Sequence, residues 1–163
     1  VRLAVGIRAA AALRAPRAFQ FIYQPDQLLL LLKVAGAKNV GLLLDTWDWF
    51  VGGGTLEQLR KVPADQIYSV RLADLPTELD PNSADDDQRI QPGEGGSFEV
   101  AAVVQYLADA RFAGLITVAA HPNRFAGQRR EAMVQKLSAS LDELWAAAGI
   151  GKDGQPLPAA SQT

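Results

Sequence analysis

Four short apolar stretches, at 2–7, 39–45, 66–74 and 114–121, alternate with segments that read as helices or long loops. This alternation constrains the fold more than any other feature. Strand–helix units in a row build a parallel sheet with helices packed outside it. The stretch NVGLLLD at 39–45 is apolar without a break rather than at every second residue. Continuous apolar character marks a parallel strand covered on both faces. Four units are half the number that closes an eightfold barrel. The expected fold is therefore α/β, a parallel (βα)4 half of such a barrel, in one domain over 1–149.

Local signals place the connections. Pro25 opens the run PDQLLLLLKVAGA as the first residue of a helix, and Gly36 stops it. GGG at 52–54 is a turn, after which Thr55 and Gln58 have capping-box spacing and start a helix through about Val62. Ser97 is placed to cap the helix FEVAAVVQYLADARF, and a last helix spans about 128–148. The segment 8–24 is irregular, and the tail 150–163 is expected to be disordered. Between them, residues 75–97 form a long polar loop with the acidic run DDD at 85–87 and the turn PGEGG at 92–96. Loops of that length inside a domain are functional or mobile.

Composition narrows the function. The 163 residues suffice for one domain with a core, and 48% hydrophobic with 21% charged content is ordinary for a globular protein. A formal charge of −2, with no basic stripe among aromatics, argues against nucleic acid. The longest apolar run, 28–32, is too short to span a bilayer, which argues against a membrane protein. There is no cysteine, so disulfides, thiolate nucleophiles and Cys-based zinc sites are excluded, and a cytoplasmic location is expected. The opening VRLAVGIRAAAALRAPR is basic and alanine-rich, loosely like a transit peptide, but a strand and loop explain it more simply. The chain begins with Val rather than Met, which fits a start inside a longer precursor.

In parallel sheets, ligands gather at the carboxyl ends of the strands. Those ends carry Gly6, Asp45, Arg71 with Asp74, and the stretch from Ala119 to His121. Asp48 follows Asp45 by one helical turn, between Trp47 and Trp49. Two carboxylates so placed either line a site or cap a turn. With Tyr23, the tryptophans are candidates for an apolar wall against a sugar ring, or for packing. His121, the only histidine, precedes a proline and reads as a turn residue more readily than as a general base. Glu94, flanked by glycines, reads as a turn residue.

The pattern NVGLLLDTW, then GGGTLEQL, then IYSVRLAD, then R-x-x-PGEG and a strand after FAG resembles the xylose-isomerase-like TIM-barrel superfamily of sugar isomerases, epimerases and AP endonuclease 2 proteins. The resemblance covers about 1–146 and only the second half of that barrel. It implies a divalent metal, Mn, Mg, Co or Zn, held by a Glu, an Asp, a His and a Glu at the strand ends. The metal would polarise a substrate carbonyl while the glutamates move the proton beside it.

Carried over position by position, the Asp is kept as Asp45. Gly6 stands for the first Glu, Arg71 for the His and Ala119 for the last Glu, while Asp48 replaces a substrate-contacting histidine. Arg89, ahead of PGEG, matches an arginine that contacts substrate; otherwise it is a solvated loop residue. A site rebuilt from Asp45, Asp48 and His121 would again admit a metal. An Asp48–Arg71 pair would instead fill the metal's place with a charge-assisted bond.

Trp47, Asp48, Arg71, Arg89 and His121 are therefore the expected substrate-binding residues, with no cofactor unless the site is rebuilt. The expected function is that of a sugar isomerase or epimerase relative acting on or binding a small sugar or hydroxy-ketone. The alternative is an inactive binding or assembly protein. A half barrel also leaves two sheet edges open, which predicts a homo-oligomer that closes the barrel, or a missing half on another chain.

Overall fold

The fold is built on β2, whose residues alternate between two environments. The structure, a computed structural model, describes residues 2–10, 22–151 and 157. It contains β1 (Leu3–Val5), α1 (Pro25–Ala35), β2 (Val40–Asp45), α2 (Thr46–Val51), α3 (Leu56–Arg60), β3 (Ile67–Leu72), α4 (Val100–Asp109), β4 (Leu115–Val118) and α5 (Arg130–Ala147). The four strands lie in the order β1-β2-β3-β4, and every neighbouring pair is parallel.

One face of the sheet is closed. Leu42 and Leu44 of β2 and Ile67, Val70 and Leu72 of β3 are buried with Leu28 of α1, Leu59 of α3, Val103 and Leu107 of α4 and Leu144 of α5. The opposite face follows from the register. Leu43, Ser69 and Leu115 form one row across β2, β3 and β4, and Asp45, Arg71 and Thr117 form the next. Leu115 is 67% exposed there, so among the described residues this face has no cover along β4.

Helix ends follow the local signals. Pro25 is in the first turn of α1, and Gly36 caps it in the left-handed region at φ 57°, its N–H donating to the Leu32 carbonyl. Thr55 and Gln58 form the capping box of α3, each side chain accepting from the other's backbone N–H. Two expectations are corrected. The segment after β2 is the short helix α2 rather than a plain run into the glycine turn. Ser97 does not cap α4, which begins at Val100; its hydroxyl donates to the Pro76 carbonyl instead. The strands and the last helix are also shorter at their ends than the sequence signals set them.

The long loop between β3 and α4 is tied down. Asp74 bridges to Ile90 and Pro76 to Gly96, both antiparallel. Asp74 Oδ1 accepts from the N–H of Leu75 and of Phe98, at 2.8 and 2.9 Å. The chain passes so close that a Cβ on Gly96 would lie 2.0 Å from Asp74 Cγ, so only glycine fits. The Ser140 hydroxyl of α5 donates to the Pro92 carbonyl, fixing this loop to the last helix. Most of the irregular segment 8–24 and most of the tail after 150 lie outside the described residues. No helix among the described residues is long and apolar enough to cross a membrane.

Candidate functional site

At the carboxyl end of β2, Asp45 serves two neighbours at once. Its Oδ1 accepts from the backbone N–H of Trp47 at 3.1 Å and of Asp48 at 3.2 Å, which caps α2. This first turn carries Asp48 onto the same side, where its Oδ1 accepts from the Ala9 N–H at 2.8 Å. Both carboxylates are buried.

Arg89 fills the space between them. Its Nη1 lies 2.8 and 3.0 Å from the two oxygens of Asp45, its Nη2 2.7 Å from Asp48 Oδ2, and its Nε 2.7 Å from Asp86 Oδ1. The guanidinium stacks on the Trp47 ring, 4.5 Å from its centroid. Arg89 is only 2% exposed, so it is not a solvated loop arginine. A planar cation with donors on three sides suits three carboxylates better than an ammonium would.

The electrostatics reflect a cation buried among acids. Burial disfavours the Arg89 charge, but Asp45 and Asp48 outweigh it and hold its pKa above the ordinary value. Burial raises the Asp48 carboxyl, with Arg89 opposing and the Asp45 charge adding to the rise. Burial also acts upward on Asp86, yet the hydrogen bond and charge of Arg89, with Arg8 and His121, hold it low.

The expected Asp48–Arg71 pair does not form. Asp48 takes Arg89, while Arg71 Nε lies 3.5 Å from Asp45 Oδ2 with its side chain 41% exposed. The reason is reach: Arg71 stands directly beside Asp45 in the sheet register, whereas the loop before PGEG brings Arg89 in from above. An arginine does stand between the two acids, but it is a different arginine from the one the strand pattern suggests.

Nor do Asp45, Asp48 and His121 gather. His121 Nδ1 accepts from the Asn123 N–H and caps a short turn over Pro122–Phe125. Its backbone N–H donates to the Arg89 carbonyl at 3.1 Å, so it helps hold the loop. Among the described residues no group of three or more His, Asp or Glu side chains is placed to hold a metal. At the other expected ligand positions, Gly6, Arg71 and Ala119, no side chain is a metal donor. A Cβ at Gly6 would meet the Leu43 side chain at 3.3 Å, and Ala119 is buried among Ala9, Ala10, Trp47, Ala73 and Leu75. With both acids engaged by Arg89, and a glycine, an arginine and a buried alanine at the other expected ligand positions, the donor set does not fit a divalent ion.

Trp47 and Trp49 do not form a wall facing ligand. Trp47 lies beneath Arg89, and Trp49 is in the main core with its indole N–H donating to the Thr55 carbonyl. Tyr23 is half-buried, its N–H donating to Gln27. Sequence reasoning missed Asp86, the third acid around Arg89, and Arg8, which lies 3.2 Å from Asp86. The capping pattern D-D-D-Q at 85–88 was the available signal for a fixed acid, since Asp85 and Gln88 form a capping box there.

What faces the open side is Arg71, Asp86 and Arg8, with side chains 41%, 40% and 55% exposed. Two clefts are present elsewhere, of about 480 Å³ beside Glu78 and Arg124 and about 1090 Å³ beside Lys33 and Tyr68. Neither is lined by Asp45, Asp48, Arg71 or His121. The core of the strand-end cluster, Asp45, Asp48 and Arg89, is buried, and Arg71, Asp86 and Arg8 are its exposed margin.

A family model described as a xylose isomerase-like TIM barrel matches residues 7–147 of the chain. The chain belongs to that family. Among solved structures, a xylose isomerase domain protein from Alicyclobacillus acidocaldarius has 24% identity and a TM-score of 0.76, covering 91% of this chain and 52% of that one. The IolI protein, described with a bound zinc atom, has 19% identity and a TM-score of 0.73, covering 88% and 49%. D-psicose 3-epimerase with D-tagatose, from Clostridium cellulolyticum, has 11% identity and a TM-score of 0.61, covering 91% and 50%. At these identities the likeness establishes the fold. The chain spans about half the length of the barrels it matches. Among characterised proteins compared by sequence, none matches.

Proposed function

We propose that this xylose isomerase-like chain binds a small sugar or hydroxy-ketone at the strand ends through Arg71 and Asp86, without a metal. The observation that carries the reading is Arg89, held between Asp45 and Asp48 where a family member would hold its ion. Arg89 supplies a fixed positive charge and needs no coordination shell. Its donors are taken by three carboxylates, so it holds the acids in place rather than engaging ligand. Arg71 projects from the next strand onto the open face, and a guanidinium donates readily to carbonyl or hydroxyl oxygens. Asp86, which accepts from Arg89 Nε and is partly exposed, offers an acceptor for hydroxyl donors.

Proton transfer next to a carbonyl needs a base within reach and with a pKa near working pH. Asp86 is held low by Arg89, and Asp48 is buried under it, so these residues favour recognition over isomerisation. The neighbours that are epimerases supply the ligand class, a small ketose.

The test joins metal content to binding. Protein purified without chelator is exposed to excess manganese, cobalt and zinc, desalted and assayed by elemental mass spectrometry. It is then titrated with ketoses while tryptophan fluorescence is followed. We expect no stoichiometric metal and a saturable fluorescence change that Arg71→Met removes. Stoichiometric metal would restore the isomerase reading. No response to any ketose or hydroxy-ketone would favour the assembly role instead.

A further inference from the structure

The helices on either side of β2 are unequal. α1 has 11 residues and α3 has 5, about 16 Å of helix against about 8 Å. Their first turns meet where Gln58 Nε2 donates to Asp26 Oδ1 at 2.6 Å. Past Arg60 the shorter helix has ended, and Val40 and Gly41 at the start of β2 line a cleft of about 1090 Å³. One wall comes from residues 26–41 and the other from residues 58–68. β2 has a strand on each side, so the cleft opens over an inner strand rather than at a sheet edge.

Its lining has two characters. The floor is apolar, with Leu29 and Leu32 of α1, Val40 and Val62. The rim is basic, with Arg2, Lys33, Lys38 and Lys61. Among the described residues none of these four cations has a carboxylate at ion-pair distance. Arg2 lies over the Tyr68 ring, 5.1 Å from its centroid, and Asp26 is taken by Gln58. Four cations thus face two acids, Asp26 and Asp65. The carboxyl end of α1 returns about half a negative charge, so the cleft stays positive in a chain whose formal charge is −2. The four come from distant positions, so no run in the sequence announces them.

A small positive excess suits a monoanion, and an apolar floor suits an apolar body beside the charge. We propose that this cleft binds a small organic anion, an aryl or alkyl carboxylate, with its acid group held by Lys33, Lys38 and Lys61 and its body on Leu29, Leu32 and Val62. A polyphosphate would exceed the available charge, and a bare inorganic anion would leave the floor in water. Neither Asp45 nor Arg71 lines the cleft, so the proposal stands apart from the strand-end reading.

The probes are 2-naphthoate, its neutral amide 2-naphthamide and inorganic phosphate, titrated into the full chain by calorimetry. Naphthoate should bind once per chain and about tenfold tighter than naphthamide, a preference that shrinks in about 0.5 M NaCl. Phosphate at equal concentration should not displace it. Lys33→Glu with Lys61→Glu should remove the preference and leave naphthamide binding as it was. Arg129→Glu with Arg130→Glu, exposed and outside the cleft, makes the same change in net charge and should leave the preference intact. Ala37→Trp, which sets a large ring in the cleft, should weaken both naphthalene probes. No naphthoate binding, equal binding of acid and amide, or a preference that survives the lysine reversal overturns the proposal. Displacement by phosphate overturns it as well, and so does naphthoate binding that Ala37→Trp leaves unchanged.

Discussion

Val70 and Leu115 stand on neighbouring strands of one sheet, yet Val70 is 0% exposed and Leu115 is 67% exposed. The same contrast separates two arginines that approach Asp45. Arg89 is buried with a carboxylate on each side, while Arg71 is partly solvated and has a single contact at 3.5 Å. Among the described residues one face of the sheet is covered by helices, and the other is exposed along β4. Residue type does not decide which side chains hold the fold; cover does. An aliphatic group stabilises by the area removed from water, and a buried ion pair by leaving no charge uncompensated.

The largest effect should come from breaking the finished side of that contrast. Arg89→Met leaves Asp45 and Asp48 buried without a countercharge and should cost about 3–5 kcal/mol in urea unfolding. Arg71→Met should cost less than about 1 kcal/mol, as expected of a partly solvated pair. The two losses are linked to different partners, so Asp48→Asn should cost less in the Arg89→Met background than alone. Equal losses from the two arginine variants would erase the distinction between them.

A second pair of variants sharpens the contrast between faces. Leu72, 0% exposed, is part of the helix-covered core, and Leu72→Ala should cost about 2–5 kcal/mol at every protein concentration. Leu115→Ala should change the unfolding of a lone chain by about 0.5 kcal/mol or less. If Leu115→Ala destabilised the chain as much as Leu72→Ala at the lowest concentrations, the open face would be closed by the chain itself.

The finished half was largely legible in the sequence. Continuous apolar strands, Pro25, Gly36 and the Thr55–Gln58 box are local signals, and each fixes an element by its own backbone chemistry. The strand-end position of Asp45 was legible for the same reason. The centre of the site was not. Arg89 reaches Asp45 and Asp48 across more than forty residues of sequence, from a loop whose path depends on the Asp74–Ile90 bridge and the close approach at Gly96. No local pattern encodes that crossing, so Arg71, adjacent in the sheet, was the arginine the sequence favoured. The helix α2 escaped because six residues are too few for a periodic signal, and its start depends on Asp45 as a cap.

Two acids that tie down this loop should respond to pH in opposite directions. Asp74 is raised by burial from its ordinary 3.8, with the Phe98 and Leu75 N–H groups pulling it back. A raised acid favours the protonated form in the fold, so its contribution is full below about pH 3.8 and declines as pH rises through the raised value. Asp74→Asn keeps an acceptor for both N–H groups and should flatten that decline, read as chemical stability from pH 3 to 8.

Glu94 is the smaller and opposite case. Burial pushes its carboxyl up, but the Lys136 hydrogen bond and charge, at 2.9 Å, and Arg124 hold it below its ordinary 4.5. A lowered acid contributes stability above that ordinary value and loses it as pH falls through the depressed one. Lys136 is on α5, so the contribution anchors the PGEG turn to the last helix beside the Ser140–Pro92 hydrogen bond. Glu94→Gln should cost less than about 1 kcal/mol at pH 7 and nothing at pH 3, because both side chains in the pair are partly solvated. The same loss at both pH values would mean that Glu94 acts by shape in the turn, not through its charge. In that case the acid side of the pH profile would belong to Asp86, whose carboxyl Arg89 holds low in the same way.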